Sequence, residues 1–420
     1  MQSQEVRLYP YRWVVLAVFM LVNLMVQLLW ASYSPVTGQA AAFFHVSDLQ
    51  IGLLAMSFMI AFIPLSLPAS WAIDTFGFRK AVGLGAVLMG VFALLRGLAG
   101  SNYALVLAST IGIAVAQPLL MNSWTTVPAH WFQKDFRATA VGLVTLSGLI
   151  GIALGMVLTP ALLGWLQNLA TLQLVYGVLA ALSALLFVVL ARDDPPTPPA
   201  EDGEQVRALV LDGLKNALRN RMFWLLVFIQ FLGMAIFNGV TTWIEPIVRG
   251  RGYGPTVAGD LGALMLVGGV VGAIVLPALS DKQHKRKRYL FIGVLCSVPF
   301  LIGLTFARAL PLLLVSAFGM GFFLISAGPV AMQFATEITW PTPEGTSNGV
   351  LQLFGQASVV FVFLMEAMRT SDGSFTPSLL LAAGLLIACV GVITFLKEPA
   401  ASVPAPEAGQ LGVSGAPDPL

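Results

Sequence analysis

The chain has 420 residues, of which 57% are apolar and only 10% charged, with a formal net charge of +2. A water-soluble domain covers itself with roughly a quarter charged residues, so this chain is solvated by lipid. The small, scattered charge excludes a nucleic-acid-binding surface, and no disulfide or zinc framework is readable around Cys296 and Cys389, which both lie inside apolar runs.

Arg7 and Arg12 precede a long apolar run without a cleavage pattern, which is expected to be an uncleaved first span. A hydrocarbon core about 30 Å thick takes roughly 20 helical residues. Runs of that length bounded by charge, Gly/Pro clusters or Asn/Asp occur at 13–34, 50–73, 80–99, 104–127, 137–160, 169–191, 222–244, 256–279, 289–307, 309–333, 347–369 and 376–397. An all-α membrane protein with twelve transmembrane helices is expected.

With the N-terminus in the cytoplasm, Arg96, Arg249, Arg251, Arg308 and Arg369 lie outside and the other 17 of the 22 basic residues lie inside. Basic loops resist translocation, so both termini are expected to be cytoplasmic. The expected organisation is an N-terminal six-helix bundle over 1–191, a linker over 192–220, a C-terminal six-helix bundle over 221–397 and a disordered tail over 398–420. Asp193 and Asp194 open that linker, ahead of a Pro-rich stretch.

The second half repeats the first at a constant spacing. Asp74, after span 2, and Asp281, after span 8, lie 207 residues apart, as do Thr139 and Thr346, Gly142 and Gly349, and Gly148 and Gly355. One offset at separated places indicates two copies of a six-helix unit in parallel topology. Within span 5, Gly148, Gly151 and Gly155 form a small-residue face suited to close helix contact.

Polar side chains in lipid are costly and point inward. In span 1, Asn23, Gln27, Trp30 and Ser34 share one helical face. In span 11, Asn348, Gln352 and Gln356 step by four. Span 7 carries Asn238, Thr242 and Glu245 on one face, and span 4 carries Gln117, Asn122 and Trp124. Each stripe reads either as cavity lining or as interhelical hydrogen bonding, and Trp30 also as an interfacial belt residue. Glu245 reads either as a substrate ligand or as a gate partner of Arg249 or Arg251. Glu337 reads as a helix-end partner of Arg137 or a loop base. Arg96 and Arg369, near outer helix ends, are expected to snorkel. The histidines fall in loops, where solvation is the expectation, and no intramembrane chain of acids and histidines suggests a proton relay.

The loop Asp74-Thr75-Phe76-Gly77-Phe78-Arg79-Lys80 resembles the hallmark loop of the major facilitator superfamily. The resemblance implies two pseudo-symmetric bundles around a central cavity, lined by spans 1, 4, 7 and 10 and flanked by span 11. It also implies gating roles for Asp74, Arg79, Asp281, Arg137 and Glu337. Asp74 would cap a helix N-terminus or pair with a base of the other bundle.

Three stretches resemble the feline leukaemia virus subgroup C receptor-related family. These are Arg12 to Leu16 leading to Trp30-Ala31-Ser32-Tyr33-Ser34; Ala61 to Leu65 with Pro68-Ala69-Ser70-Trp71; and Glu337-Ile338-Thr339-Trp340-Pro341-Thr342-Pro343-Glu344-Gly345-Thr346-Ser347. Members of that family transport choline and ethanolamine and have been proposed to export haem. Their cationic head is held by a span 1 tryptophan, a span 7 tyrosine and glutamines of spans 5 and 11. Trp30 and Gln356 match two of these positions, whereas Asn238 stands at the tyrosine position and Leu149 at the span 5 glutamine. Half of the cage is absent, which implies a related small solute.

The expected function is alternating-access transport of a small polar or cationic organic solute. The alternatives are an organic anion carrier, which calls for a midplane base, and a non-transporting receptor on the same bundle. The candidate substrate residues are Asn23, Gln27, Trp30, Gln117, Asn238, Glu245, Gln352 and Gln356. No nucleophile, metal cluster or phosphate loop is readable, so neither an enzyme nor a cofactor is expected, and the partners are the solute and the bilayer around a monomer.

Overall fold

The computed structural model describes residues 9–195, 215, 217–283, 285–339, 342 and 344–398. The expected tail and most of the expected linker lie outside the described residues.

Among the described residues, twelve helices are long and apolar enough to cross a membrane. Spans 1 to 6 are Arg12–Phe44, Asp48–Phe76, Phe78–Leu98, Tyr103–Trp131, Thr139–Leu166 and Leu169–Leu190. Spans 7 to 12 are Arg221–Thr242, Pro255–Gln283, Arg286–Phe306, Leu310–Ile338, Ser347–Ala367 and Thr376–Thr394. Spans 2, 8 and 10, at 29 residues each, run past their expected C-terminal ends and exceed the hydrocarbon core, because hydrogen bonding continues into the charged, solvated helix ends.

Helix starts carry side chains that satisfy the orphaned backbone donors. Ser47 and Gln50 form a reciprocal capping box at span 2. Asn102, Asn168 and Asn220 accept from backbone N–H groups at the starts of spans 4, 6 and 7. Prolines such as Pro64, Pro118 and Pro329 sit inside spans, a placement that membrane helices tolerate.

Span 1 is broken. Its first helix ends at Ala31, a short 3-10 turn covers Ser34–Val36, and a second helix runs Thr37–Phe44. Beyond span 7 the chain breaks at Trp243 and continues as Ile244–Arg249. Val36 and Trp243 lie 207 residues apart, so the break is repeated in both halves.

Spans 1 to 6 pack against one another, as do spans 7 to 12, and the halves meet along spans 5 and 8 and along spans 2 and 11. The glycine face of span 5 serves these contacts. Gly151 and Gly155 stand against the Leu24 and Leu28 carbonyls of span 1, while Gly259 of span 8 stands against the Met156 carbonyl of span 5. A Cβ at Gly151 would strike backbone that cannot yield. Gly148 differs, since the nearest atoms to a Cβ there, on Trp124 and Gln27, lie at ordinary contact distance.

Candidate functional site

A cavity of about 480 Å3 lies between the halves. Gln27, Trp30, Gln117, Asn238, Gln352 and Gln356 all line it, joined by Trp124, Gln230 and Asn348. Hydrogen bonds hold several of these side chains. The Asn23 amide, fully buried, donates to the Phe19 carbonyl at 2.9 Å and accepts from the Trp124 indole at 2.6 Å. Asn23 therefore stands behind the wall and orients Trp124. Gln117 donates to Gln27 at 3.5 Å, and Asn238 donates to Ser358 at 3.0 Å. Trp30 is 7% exposed and lies on the cavity wall, where Leu149 of span 5 also lies. Asn122 does not line the cavity and ties span 4 to Ser66 and Ser70 of span 2 at 3.1 and 3.0 Å.

No Asp, Glu, Lys, Arg or His lines the cavity among the described residues. The wall is built from amides, indoles and apolar side chains. Trp30, Leu149, Asn238 and Gln356, the four positions that the sequence resemblance singles out, all line the cavity.

Exposure along the cavity has a direction. Trp30, Gln27, Gln117, Asn238 and Gln356 are buried, whereas Val141, Thr145, Met332, Asn348 and Gln352 are partly exposed. The second group lies toward the end of the molecule at which span 1 begins and span 12 ends. The cavity opens toward this terminus-bearing end.

The opposite end is shut by charge. Asp48, at the start of span 2, accepts from Arg249 at 3.1 Å and from Arg369 at 2.9 Å, both in the second half. Glu245 accepts from Arg249 at 2.5 and 2.8 Å and from the Gly38 N–H at 3.1 Å. Gly38 and Glu245 are themselves 207 residues apart, so equivalent positions of the two repeats touch across the seal. The hydrogen bonds that Arg249 donates to Glu245 hold its guanidinium above its ordinary pKa. Glu245 thus lies beyond the Trp243 break, in the seal, and does not line the cavity. Arg369 does not snorkel. Neither does Arg96, which is 1% exposed, donates to the Leu29 carbonyl at 3.3 Å and lies over the Tyr33 ring. A cation suits that place because Leu29 belongs to the last turn of the first helix of span 1, whose carbonyls lack helical partners. Sequence reading missed Asp48, since nothing local marks an acid whose partners lie 201 and 321 residues away.

At the terminus-bearing end, Arg286 donates to Glu337 at 2.9 Å and is paired with Asp281. Glu337 thus pairs with a base at the start of span 9, while Arg137 donates to the Phe132 carbonyl at 3.0 Å. In the first half, Asp193 occupies the place expected for Asp74, accepting from the Arg79 N–H at 2.7 Å at the start of span 3. Asp74 itself is exposed. His130 contacts Asp194 at 2.6 Å.

Residues 19–363 and 251–417 match the Major Facilitator Superfamily. Solute carrier family 49 member A3 of Danio rerio is 30% identical over 419 residues, covering 93% of this chain and 88% of that protein. Choline/ethanolamine transporter FLVCR1 of Mus musculus is 29% identical over 402 residues, covering 87% and 71% respectively. Two solved structures share the fold at low identity. A bacterial homologue of the human lysosomal transporter Spinster has a TM-score of 0.69 and 17% identity, covering 94% of this chain and 95% of that one. The nucleoside transporter NupG has a TM-score of 0.70 and 12% identity, covering 90% and 99%. Twelve apolar spans in two repeated halves around one cavity, together with these relatives, make the chain a member of the Major Facilitator Superfamily, a multi-pass membrane transporter of solute-carrier type.

Proposed function

We propose that the protein carries a small organic solute with a cationic or uncharged polar head through the central cavity by alternating access. The carrying observation is the cavity wall, where indoles and amides converge and, among the described residues, no charged group lies. An aromatic face attracts a cation by about 0.5 to 2 kcal/mol, more as water is excluded, and amides supply both donors and acceptors. An organic anion would meet no guanidinium or ammonium on this wall. The relatives named as choline/ethanolamine transporters support the same head-group chemistry.

The termini are assigned to the cytoplasm by the distribution of basic residues. On that assignment the cavity faces the cytoplasm and Asp48, Glu245, Arg249 and Arg369 form the outer seal. Opening that seal while closing the terminus-bearing end, where Arg79, Asp281, Arg137 and Glu337 lie, completes the cycle. The 1–191 and 221–397 units are the bodies that rock.

The test is binding of quaternary and primary ammonium solutes and of matched carboxylates to the purified protein. Trp30→Ala is expected to weaken binding of the ammonium solute about tenfold, and Trp30→Phe to restore part of it. Equal affinity in the two variants, or tighter binding of the carboxylates, contradicts the proposal.

A further inference from the structure

The two repeats place equivalent residues on opposite walls of the cavity, and their chemistry differs. Asn348 of span 11 and Val141 of span 5 lie 207 residues apart; so do Gln352 and Thr145, and Gln356 and Leu149. All six line the cavity. Span 11 presents three amides where span 5 presents a valine, a threonine and a leucine. The Thr145 hydroxyl donates to the Val141 carbonyl at 3.0 Å, so the span 5 face offers a solute no free donor.

The asymmetry extends to the whole wall. Among the described residues, seven amides line the cavity, on spans 1, 4, 7 and 11, and none comes from spans 5, 8, 9, 10 or 12. Those five spans contribute side chains such as Leu149, Ile152, Ala273, Val294, Leu324 and Ile325. Span 5 packs on span 8, span 8 on span 10, span 9 on span 10 and span 12 on span 9, so the apolar face is continuous across the joint between the halves. A volume of about 480 Å3 falls in the range of sites that enclose drug-sized molecules. A compact polar solute would satisfy the amides and leave the opposite face against water, at a cost that grows with the apolar area left wet.

We propose that the substrate is amphipathic, with its polar head on the amides and indoles of spans 1, 4, 7 and 11 and an aliphatic body against spans 5, 8 and 10. This rests on the reading that the cavity holds the transported solute. Span 5 is then the specificity-determining wall. Leu149, where the resembling family has a glutamine, exchanges a hydrogen-bonding contact for an apolar one.

The test is calorimetric binding to the protein in lipid nanodiscs, with partition into protein-free discs subtracted. The ligands carry three heads, quaternary ammonium, primary ammonium and carboxamide, each with methyl, propyl and pentyl tails. For the head that binds best, affinity is expected to rise about two- to fourfold per added methylene. Leu149→Gln and Val141→Asn, checked for unchanged melting temperature, are each expected to reduce the pentyl-to-methyl affinity ratio at least fivefold. A flat or falling series overturns the proposal, as does a ratio unchanged in both variants. Equal rises on all three heads leave the amphipathic substrate standing and remove the preference for a cation. Absence of binding by every ligand overturns both.

Discussion

Asp48 bonds two guanidiniums that already have acidic neighbours of their own, Arg249 with Glu245 and Arg369 with Glu366. In the proposed cycle, separation of the halves leaves each arginine an acidic partner inside the second half, and Asp48 is the one charge of this cluster returned to water. The seal therefore opens without stranding a buried charge, which is what a reversible gate requires. Charged hydrogen bonds contribute about 1.5 to 3 kcal/mol when shielded, and the exposure of Arg249 reduces this. Asp48→Asn is expected to weaken the seal by about 1 to 2 kcal/mol, a five- to thirtyfold shift toward the separated state. Spin labels at Leu49→Cys and Ser371→Cys, on either side of the seal, should then acquire a longer-distance population in pulsed EPR. An unchanged distance distribution removes Asp48 from the gate. This cluster was legible only in part. Pairing of Glu245 with Arg249 was readable from a spacing of four on one short helix, but the hub that spans the halves was not.

At the scale of single helices, hydropathy was sufficient because lipid imposes one rule on every spanning segment: its backbone must be satisfied internally and its outer face must be apolar. The twelve expected runs correspond to the twelve observed spans, with ends displaced where charged turns continue the helix. The polar stretch Ser32 to Pro35 marked the end of the expected first run at residue 34, but that the span resumes as Thr37–Phe44 beyond it was not legible. Span 5 is where helix-level packing is most constrained. Gly151→Val would drive a side chain into the Leu24 carbonyl, and overpacking of this kind costs about 1 to 3 kcal/mol. The melting temperature in detergent is expected to fall by several degrees. Gly142→Ala, whose Cβ meets nothing within 4 Å, is the matched control and should leave it unchanged. Equal melting of the two variants contradicts the close contact between spans 1 and 5.

The repeat explains much of the whole molecule, including where the halves diverge. Arg79 and Arg286 are equivalent by the 207-residue offset, and His130 stands where Glu337 stands. Arg286 is held by Asp281 and Glu337 of its own half. In the first half the acids at this end come instead from Asp193 and Asp194, just after span 6. Sequence reading placed Asp74 in that role because the loop pattern marks it, and the substitute supplied from 119 residues further along carried no local signal. The cavity was more legible than its gates. Amides and indoles inside apolar helices reveal their inward direction one span at a time, whereas a gate depends on which spans approach one another.

The central claim is a cavity between two repeated halves that is open at the terminus-bearing end and sealed at the other by Asp48. Thr145→Cys, in a background lacking Cys296 and Cys389, places one thiol on the partly exposed part of the wall. Its modification by a membrane-impermeant thiol reagent, measured in sealed vesicles of each orientation, reads access directly. The account predicts fast labelling from the side bearing the termini, slow labelling from the other, and a faster second rate when Asp48→Asn is added. Equal rates from both sides, or a rate from the sealed side that Asp48→Asn leaves unchanged, would contradict it.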